Sequence, residues 1–125
     1  VIITAESKGI PLAYEMAKQL GIPYVVARKS VKLYMKDVVS VEVKSITTAN
    51  VQTLYLDGSK AEMLKGKRVL IADDVISTGE SLKALEKLVE TTGGIITAKT
   101  AVLAEGDASE RDDIIFLEKL PLFFK

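Results

Sequence analysis

The segment between residues 68 and 91 constrains the fold of this chain more than any other. Residues 68–72, Arg-Val-Leu-Ile-Ala, follow a Lys-Gly-Lys turn and form the apolar run that is typical of a strand covered on both faces. Residues 78–91 then carry apolar side chains at helical spacing, and Gly93-Gly94 end the pattern. The inner face of this helix is formed by Leu82, Leu85, Leu88 and Val89. A central parallel strand followed by a helix is therefore predicted.

The beginning of the chain repeats this order of elements. Residues 1–5 predict a buried strand, and the helix that follows has Pro11 in its first turn. Its apolar face is formed by Ala13, Met16, Ala17 and Leu20. Gly21-Ile22-Pro23 end the helix before a short strand at residues 24–27. Because a buried strand opens the chain without an initiator Met, we expect residues to be missing upstream.

Two β-rich runs, residues 38–43 and 52–56, come next. Their composition predicts an antiparallel ribbon with a mobile tip between them. Asp57-Gly58-Ser59 then predicts a turn.

The last third of the chain adds a strand at residues 95–103, a polar loop at 104–112, a short strand at 114–117 and an apolar tail at 120–124. Alternating strands and helices with a short antiparallel insertion predict one α/β domain over residues 1–125. Its sheet is expected to be doubly wound, mostly parallel and flanked by helices. In such sheets ligands bind beyond the carboxyl ends of the strands.

Composition restricts the chemistry. Seventeen basic residues balance seventeen acidic ones, so no overall field draws the chain to nucleic acid or to a membrane surface. The chain has no Cys and no His, which removes disulfides, thiolate metal sites and the commonest general base. No apolar run approaches the ~20 residues that span a bilayer, and the first residues do not show the charged stretch and small-residue cleavage site of a secretory leader. A cytoplasmic location is therefore expected.

A candidate phosphate loop, Ser77-Thr78-Gly79-Glu80-Ser81, lies where the central strand gives way to the helix. Such a loop presents unpaired backbone N–H groups and the positive end of the helix dipole, so it can hold a phosphate without any lysine. Gly79 lets the backbone approach the phosphate closely, and the neighbouring hydroxyls can donate to its oxygens.

Two adjacent acids, Asp73 and Asp74, are predicted to end the strand just before this loop. They would repel a bare anion, but they suit a ligand that offers hydroxyls or brings a magnesium ion. A sugar phosphate does both. The alternative is a pair that merely caps the next helix, but a cap needs only one acid.

The stretch Val69-Leu70-Ile71-Ala72-Asp73-Asp74-Val75-Ile76-Ser77-Thr78-Gly79 resembles the phosphoribosyl-pyrophosphate signature of the type I phosphoribosyltransferases. The shared pattern is an apolar run, two acids, two apolar residues, a small residue and Thr-Gly. The resemblance implies the fold of that family, with Asp73 and Asp74 as catalytic residues on the ribose hydroxyls. It also implies a 5′-phosphate loop formed by Ile76, Ser77, Thr78, Gly79, Glu80 and Ser81.

Two further segments resemble the pyrophosphate contacts of this family. Glu6-Ser7-Lys8-Gly9 stands where adenine-type members carry Glu-Ala-Arg-Gly, and Lys8 keeps the charge of that Arg without its bidentate fork. Arg28-Lys29 resembles an Arg-Lys pair that meets pyrophosphate. The implied pyrophosphate-binding residues are Ser7, Lys8, Arg28 and Lys29, of which Lys8 and Arg28 are also expected to act in catalysis. A helix-starting turn and a solvated basic turn are the alternatives without function.

The ribbon at residues 38–56 resembles the lid of these enzymes, which covers the bound substrates and excludes water. A bare surface hairpin is the alternative reading of the same residues.

The reaction implied is transfer of a phosphoribosyl group from 5-phosphoribosyl 1-pyrophosphate to a purine base, through an oxocarbenium-like transition state. Positioning and charge stabilisation would supply the catalysis, and no protein nucleophile is required. The implied cofactor is Mg2+, held by the substrate, with Asp73 or Asp74 reaching it only through water. The resemblance also implies a homodimer.

The identity of the base depends on Ser77. Hypoxanthine–guanine enzymes of the family carry an Asp at this position that handles the proton of the base, whereas adenine-type enzymes carry a small residue. Adenine is therefore the first choice. However, residues 44–56 and the loop Ala104-Glu105-Gly106-Asp107 look more like the xanthine enzymes and the phosphoribosyltransferase-like purine repressors.

Those repressors supply an alternative of a different class, a non-catalytic sensor of phosphoribosyl pyrophosphate that regulates transcription. Such a protein needs a DNA-binding domain, which residues 1–125 do not contain. A third possibility is an enzyme of the same fold with another substrate. An orotate enzyme would be expected to have a lysine-rich lid, and a phosphoribosyl-pyrophosphate synthase would need a duplicated domain.

Overall fold

A computed structural model describes residues 1–44 and 51–121, which form a five-stranded sheet and a separate two-stranded sheet. The elements are β1 Ile2–Ala5, α1 Ile10–Leu20, β2 Tyr24–Ala27, β3 Val39–Lys44, β4 Val51–Leu56, α2 Gly58–Leu64, β5 Arg68–Ile76, α3 Glu80–Thr91, β6 Ile95–Glu105 and β7 Ile115–Leu120. The large sheet has the order β2-β1-β5-β6-β7, and every pair in it is parallel. β3 and β4 are antiparallel. The predicted fold class is confirmed.

Strand β5 occupies the middle of the sheet, as its apolar run predicts. It pairs with β1 on one side and with β6 on the other, so both of its edges are hydrogen-bonded. Val69, Ile71 and Ala72 are fully buried. Helices lie on both faces of the sheet, which explains why a central strand here needs apolar side chains on both sides.

The two faces differ in how they are covered. On one face, the apolar side of α3 packs with β5 and with the ribbon in one cluster that includes Leu85, Ile71 and Leu54. On the other face, Ala13 and Ala17 of α1 pack against Ile2 and Ala72. The α1 side chains are small, so that helix can lie close to the sheet.

The ribbon of β3 and β4 is attached to the sheet at its β2 edge. Arg28 N donates to Tyr55 O at 2.9 Å, and Tyr55 N donates to Arg28 O at 2.8 Å. Val41 and Leu56 of the ribbon are buried. The base of the ribbon is therefore part of the core, while the predicted mobile tip at residues 45–50 lies outside the described residues.

The region around Asp57 corrects one prediction. Asp57-Gly58-Ser59 is not an isolated turn, because Gly58 begins the short helix α2. The Asp57 carboxylate accepts hydrogen bonds from Lys36 N at 2.8 Å and from the Ser59 hydroxyl at 2.6 Å. Since α2 has only seven residues, it is too short to show a helical period in the sequence.

Strand lengths provide further corrections. β5 continues through Asp73 and Asp74 to Ile76, because this segment pairs with the end of β6. β6 likewise reaches Glu105, a 3₁₀ helix occupies Gly106–Glu110 within the predicted polar loop, and β7 extends to Leu120. Pairing between distant segments overrides the polar composition of these strand ends. The rest of the predicted tail, from residue 122, lies outside the described residues.

None of the helices in the described part of the chain is long and apolar enough to cross a membrane.

Candidate active site

A cleft of about 300 Å³ lies at the carboxyl ends of β1 and β5, the place where a parallel sheet is expected to bind ligands. It is lined by Ala5, Glu6, Ser7, Lys8, Lys29, Asp73, Asp74, Val75 and Ser81. The cavity therefore brings together residues that are far apart in sequence and that were predicted from separate motifs. A larger depression of about 540 Å³, around Asp57 and Glu62, contains none of the predicted site residues.

The acid pair occupies one side of this cleft. Burial of the Asp73 side chain, together with the neighbouring Asp74, raises the pKa of Asp73 to about 7, although the charge of Lys29 opposes this change. Asp73 Oδ1 also accepts a hydrogen bond from the backbone N–H of Asp74 at 2.8 Å. Near neutral pH the pair therefore offers both a proton donor and several acceptor oxygens, which suits a ligand with adjacent hydroxyls.

The predicted phosphate loop connects β5 to α3. The strand ends at Ile76, whose side chain is buried in the core, so only its backbone is available to a ligand. Gly79 has φ 84°, a left-handed conformation that favours glycine, and α3 begins at Glu80 rather than at Thr78. Ser81 faces the cleft. The loop thus places the first turn of α3, which begins at Glu80, beside the acid pair.

The basic side of the cleft is organised by Glu6. Its Oε1 accepts a hydrogen bond from Lys29 N at 2.6 Å, and its carboxylate pairs with Arg28 at 3.5 Å and with Lys32 at 3.7 Å. The backbone hydrogen bond from Lys29 and the charges of Lys32 and Arg28 lower the pKa of Glu6. The Glu6–Ser7 peptide bond is cis.

The structure separates the two residues of the predicted Arg-Lys pair. Lys29 lines the cleft, together with Ser7 and Lys8. Arg28 instead pairs with Glu6 and lines a neighbouring pocket of about 320 Å³.

Gly9, in the loop after β1, lies against the Thr4 side chain of β1 and near the Asp73 carboxylate. A Cβ at this position would be 2.2 Å from Thr4 Oγ1 and 3.4 Å from Asp73 Oδ1, so only glycine fits without rearrangement. The Thr4 side chain is completely buried, and its hydroxyl has no hydrogen-bond partner within the described ranges 1–44 and 51–121.

Sequence reasoning missed two residues at the phosphate loop. The Ser77 hydroxyl donates to Glu105 Oε1 at 2.8 Å. Arg111 Nη1 lies 2.8 Å from the point where a Cβ of Gly79 would be. Because β6 lies beside β5, its carboxyl end has to lie near the loop, and this rule could have identified Glu105. The position of Arg111 depends on the 3₁₀ helix that precedes it, for which the sequence has no clear signal.

The donor groups of the cleft fit a magnesium ion that is bound mainly by a substrate. No group of three or more acidic side chains that could hold a metal is found in the described part of the chain. Asp73 and Asp74 offer carboxylate oxygens in the cleft, and Mg2+ is commonly bound through one or two carboxylates together with water and substrate phosphates.

Comparison with known proteins agrees with this geometry. The family model for the phosphoribosyl transferase domain matches residues 1–119. A hypoxanthine/guanine phosphoribosyltransferase from Methanothrix thermoacetophila is 36% identical over 110 residues, which cover 88% of this chain and 54% of that protein. A xanthine phosphoribosyltransferase from Exiguobacterium sp. is 35% identical over 115 residues, covering 91% of this chain and 58% of that protein. The chain thus spans somewhat more than half the length of these curated relatives.

Among solved structures, an adenine phosphoribosyltransferase from Thermoanaerobacter pseudethanolicus superimposes with a TM-score of 0.79 at 29% identity, covering 95% of this chain and 69% of that one. Sequence and structure therefore point to the same fold. The chain belongs to the phosphoribosyl transferase domain family.

Proposed function

We propose that this protein transfers a phosphoribosyl group from 5-phosphoribosyl 1-pyrophosphate to a purine base, releasing pyrophosphate. The observation that supports this most is the convergence of three predicted groups on one cleft. The acid pair Asp73 and Asp74, the basic residues Lys8 and Lys29, and Ser81 of the phosphate loop all line it. The family match and the purine enzymes among the relatives support the same reaction.

In this proposal each part of the substrate has its own group of residues. Asp73 and Asp74 accept hydrogen bonds from the ribose hydroxyls. The 5′-phosphate binds the loop of residues 76–81, and the pyrophosphate binds Ser7, Lys8, Arg28 and Lys29. Arg28 would have to exchange its contact with Glu6 for the ligand, whereas Lys29 already faces the cleft.

The bond between C1 of the ribose and the pyrophosphate oxygen breaks, and its electron pair leaves with pyrophosphate. A nitrogen of the purine forms the new bond to C1, and its proton passes to the departing pyrophosphate. Lys8 and Lys29 stabilise the negative charge that develops on the leaving group, and positioning of the two reactants supplies much of the remaining acceleration. When bound with the substrate, Mg2+ would neutralise part of the pyrophosphate charge.

Adenine is the proposed base, on the basis of Ser77 and of the Glu-Ser-Lys-Gly turn. One observation favours a 6-oxopurine as the second candidate. The Glu105 carboxylate lies 2.8 Å from the Ser77 hydroxyl, so an acid is present beside the position where hypoxanthine–guanine enzymes carry Asp. The relatives that act on hypoxanthine, guanine or xanthine by name also favour this candidate.

A spectrophotometric assay with phosphoribosyl pyrophosphate, Mg2+ and each of adenine, hypoxanthine, guanine and xanthine tests the proposal. We expect one base to be used at least tenfold better than the others. The Glu105→Gln variant separates the candidates, because it should lower turnover strongly only if Glu105 handles the proton of an oxopurine. Binding of phosphoribosyl pyrophosphate without turnover of any base would instead indicate a sensor and refute the transferase.

Assembly and location remain part of the proposal. A homodimer is expected from the family resemblance, and sedimentation of the purified protein measures it. The cytoplasmic location is the expectation drawn from the sequence.

A further inference from the structure

The phosphate loop has an unfavourable charge for its proposed ligand. Residues 76–81 contain no Lys or Arg, and Glu80 adds a negative charge at the start of α3. Asp73 and Asp74 lie just upstream. A sugar phosphate carries a charge of about −1.5 to −2 near neutral pH. The helix dipole, equivalent to about half a positive charge, does not by itself balance the charge of the phosphate.

Arg111 is the cation that the fold brings to this loop. Its Nη1 lies 2.8 Å from the point where a Cβ on Gly79 would be, so the guanidinium packs directly over the middle of the loop. Gly79 is thus required for two reasons, its left-handed φ of 84° and the lack of space beneath Arg111.

The guanidinium is held in a defined orientation. Its Nε donates to Asp113 Oδ1 at 2.8 Å and its Nη2 donates to Asp113 Oδ2 at 2.6 Å, a bidentate pair with strong directional preference. Asp113 also pairs with Lys99 at 3.5 Å, and Lys99 pairs with Glu86 of α3. This series of ion pairs therefore links Arg111 to α3, the helix whose first turn belongs to the proposed phosphate site.

The charge of Arg111 keeps the pKa of Asp113 far below its usual range, and Asp113 raises the pKa of Arg111. Both groups are thus ionised over the whole physiological pH range. The pair with Asp113 uses Nε and Nη2, and the remaining nitrogen, Nη1, is the one placed over Gly79.

We propose that Arg111 is a phosphate-binding residue whose Nη1 donates to the 5′-phosphate of the sugar phosphate held by residues 76–81. This inference rests on the proposed function, and it adds a specific cation to a loop that has none of its own. Asp113 acts as a positioning residue, because it orients the guanidinium without touching the ligand.

The test compares Arg111→Met, Arg111→Lys and the unaltered protein in calorimetric binding of ribose 5-phosphate and of pyrophosphate. Arg111→Met should bind ribose 5-phosphate about 10- to 100-fold more weakly, as expected for loss of a charged hydrogen bond. Arg111→Lys should recover part of this affinity. Pyrophosphate affinity should stay within about twofold, because Arg111 is not among its proposed contacts, which include Lys8 and Lys29 of the cleft.

Phosphorus NMR of bound ribose 5-phosphate distinguishes direct contact from a structural role. A guanidinium in contact favours the dianion, so the second pKa of the bound phosphate, about 6 in the free state, should be higher in Arg111→Met than in the unaltered protein. Asp113→Asn leaves the cation in place, and it should weaken ribose 5-phosphate binding less than Arg111→Met does.

The outcomes separate the two proposals. If the unaltered protein binds ribose 5-phosphate and Arg111→Met binds it equally well, the Arg111 inference is wrong and the proposed function stands. An unchanged phosphate pKa in Arg111→Met, or an equal loss of pyrophosphate binding, also overturns the inference in favour of a structural brace. If the unaltered protein binds no ribose 5-phosphate, both proposals fail.

Discussion

The two sides of the cleft differ in how their charges are satisfied before any ligand arrives. On the β5 side, burial and a like-charged neighbour raise the pKa of Asp73 to about 7, so its negative charge is unfavourable in the folded protein. On the other side, Glu6 is surrounded by donors and cations, and its pKa is lowered. Glu6 thus already has partners within the protein, in Lys29 N, Arg28 and Lys32, whereas the acid pair gains most from hydroxyl donors or a cation brought by a substrate. We therefore expect substitutions on the acid side to have the larger effect on binding.

The largest effect is expected for Asp73→Asn combined with Asp74→Asn. Removing both acceptors of the ribose hydroxyls should weaken binding of phosphoribosyl pyrophosphate by at least ~100-fold, since each charged hydrogen bond contributes about 1.5–3 kcal/mol. The fold should remain intact, because the substitution removes an unfavourable charge. Calorimetry measures the affinity, and circular dichroism checks the fold.

A matched control removes two charges elsewhere. Glu15→Gln with Glu62→Gln changes the net charge equally at exposed positions outside the cleft. Equal affinity in the Asp73, Asp74 variant and in this control would refute the assignment of the acid pair.

A second prediction concerns Gly9, where the loop after β1 packs against the buried Thr4 side chain. Gly9→Ala should destabilise the protein by about 1–3 kcal/mol, because the new methyl group would lie 2.2 Å from the buried Thr4 Oγ1. Thermal unfolding measures this change. Combining Gly9→Ala with Thr4→Ala should restore most of the loss, since the clashing oxygen is removed. A double variant no more stable than Gly9→Ala alone would show that the clash is not the cause.

Within the basic side, substitutions of Lys29 and of Arg28 are expected to differ in how much they weaken pyrophosphate binding. Lys29→Gln should weaken pyrophosphate binding about tenfold, a typical loss for one charged contact, because Lys29 faces the cleft. Arg28→Gln should have a smaller effect, since Arg28 pairs with Glu6 in the absence of ligand and such partly exposed pairs contribute little. Titration of both variants with magnesium pyrophosphate gives the comparison. A larger loss in Arg28→Gln would mean that Arg28 leaves Glu6 and enters the cleft when ligand binds.

The smallest effect is expected in the pH dependence of stability. Asp73 has a folded-state pKa raised from 3.8 to about 7, so the folded state binds more protons than the unfolded state in this window. Its contribution to stability is fully present below about pH 4 and is lost as the pH rises through 7. The melting temperature of Asp73→Asn should therefore rise relative to that of the unaltered protein, by a few degrees between pH 4 and pH 8. A constant difference across this range would contradict the raised pKa.

The features that could be predicted from sequence are those that depend on residues adjacent to one another in the chain. The apolar run of β5, the helical spacing in α3 and the signature from Val69 to Gly79 needed no information from the rest of the chain. The predicted ends of β5, β6 and β7 were wrong, because pairing with a strand distant in sequence extends each of these strands. Arg111 was missed for a related reason, since its neighbour Gly79 lies 32 positions away in the sequence and meets it only in the folded chain.

The paired backbone hydrogen bonds between Arg28 and Tyr55 have a mechanical consequence. A rigid swing of the whole ribbon would either break both bonds or move the segment that carries Lys29 with it. While both bonds persist, the base of the ribbon and the proposed pyrophosphate-binding residue Lys29 have to move together. Any closure over the substrate would hinge farther along the two strands, so that leaving-group contacts are kept in register while the cavity is sealed.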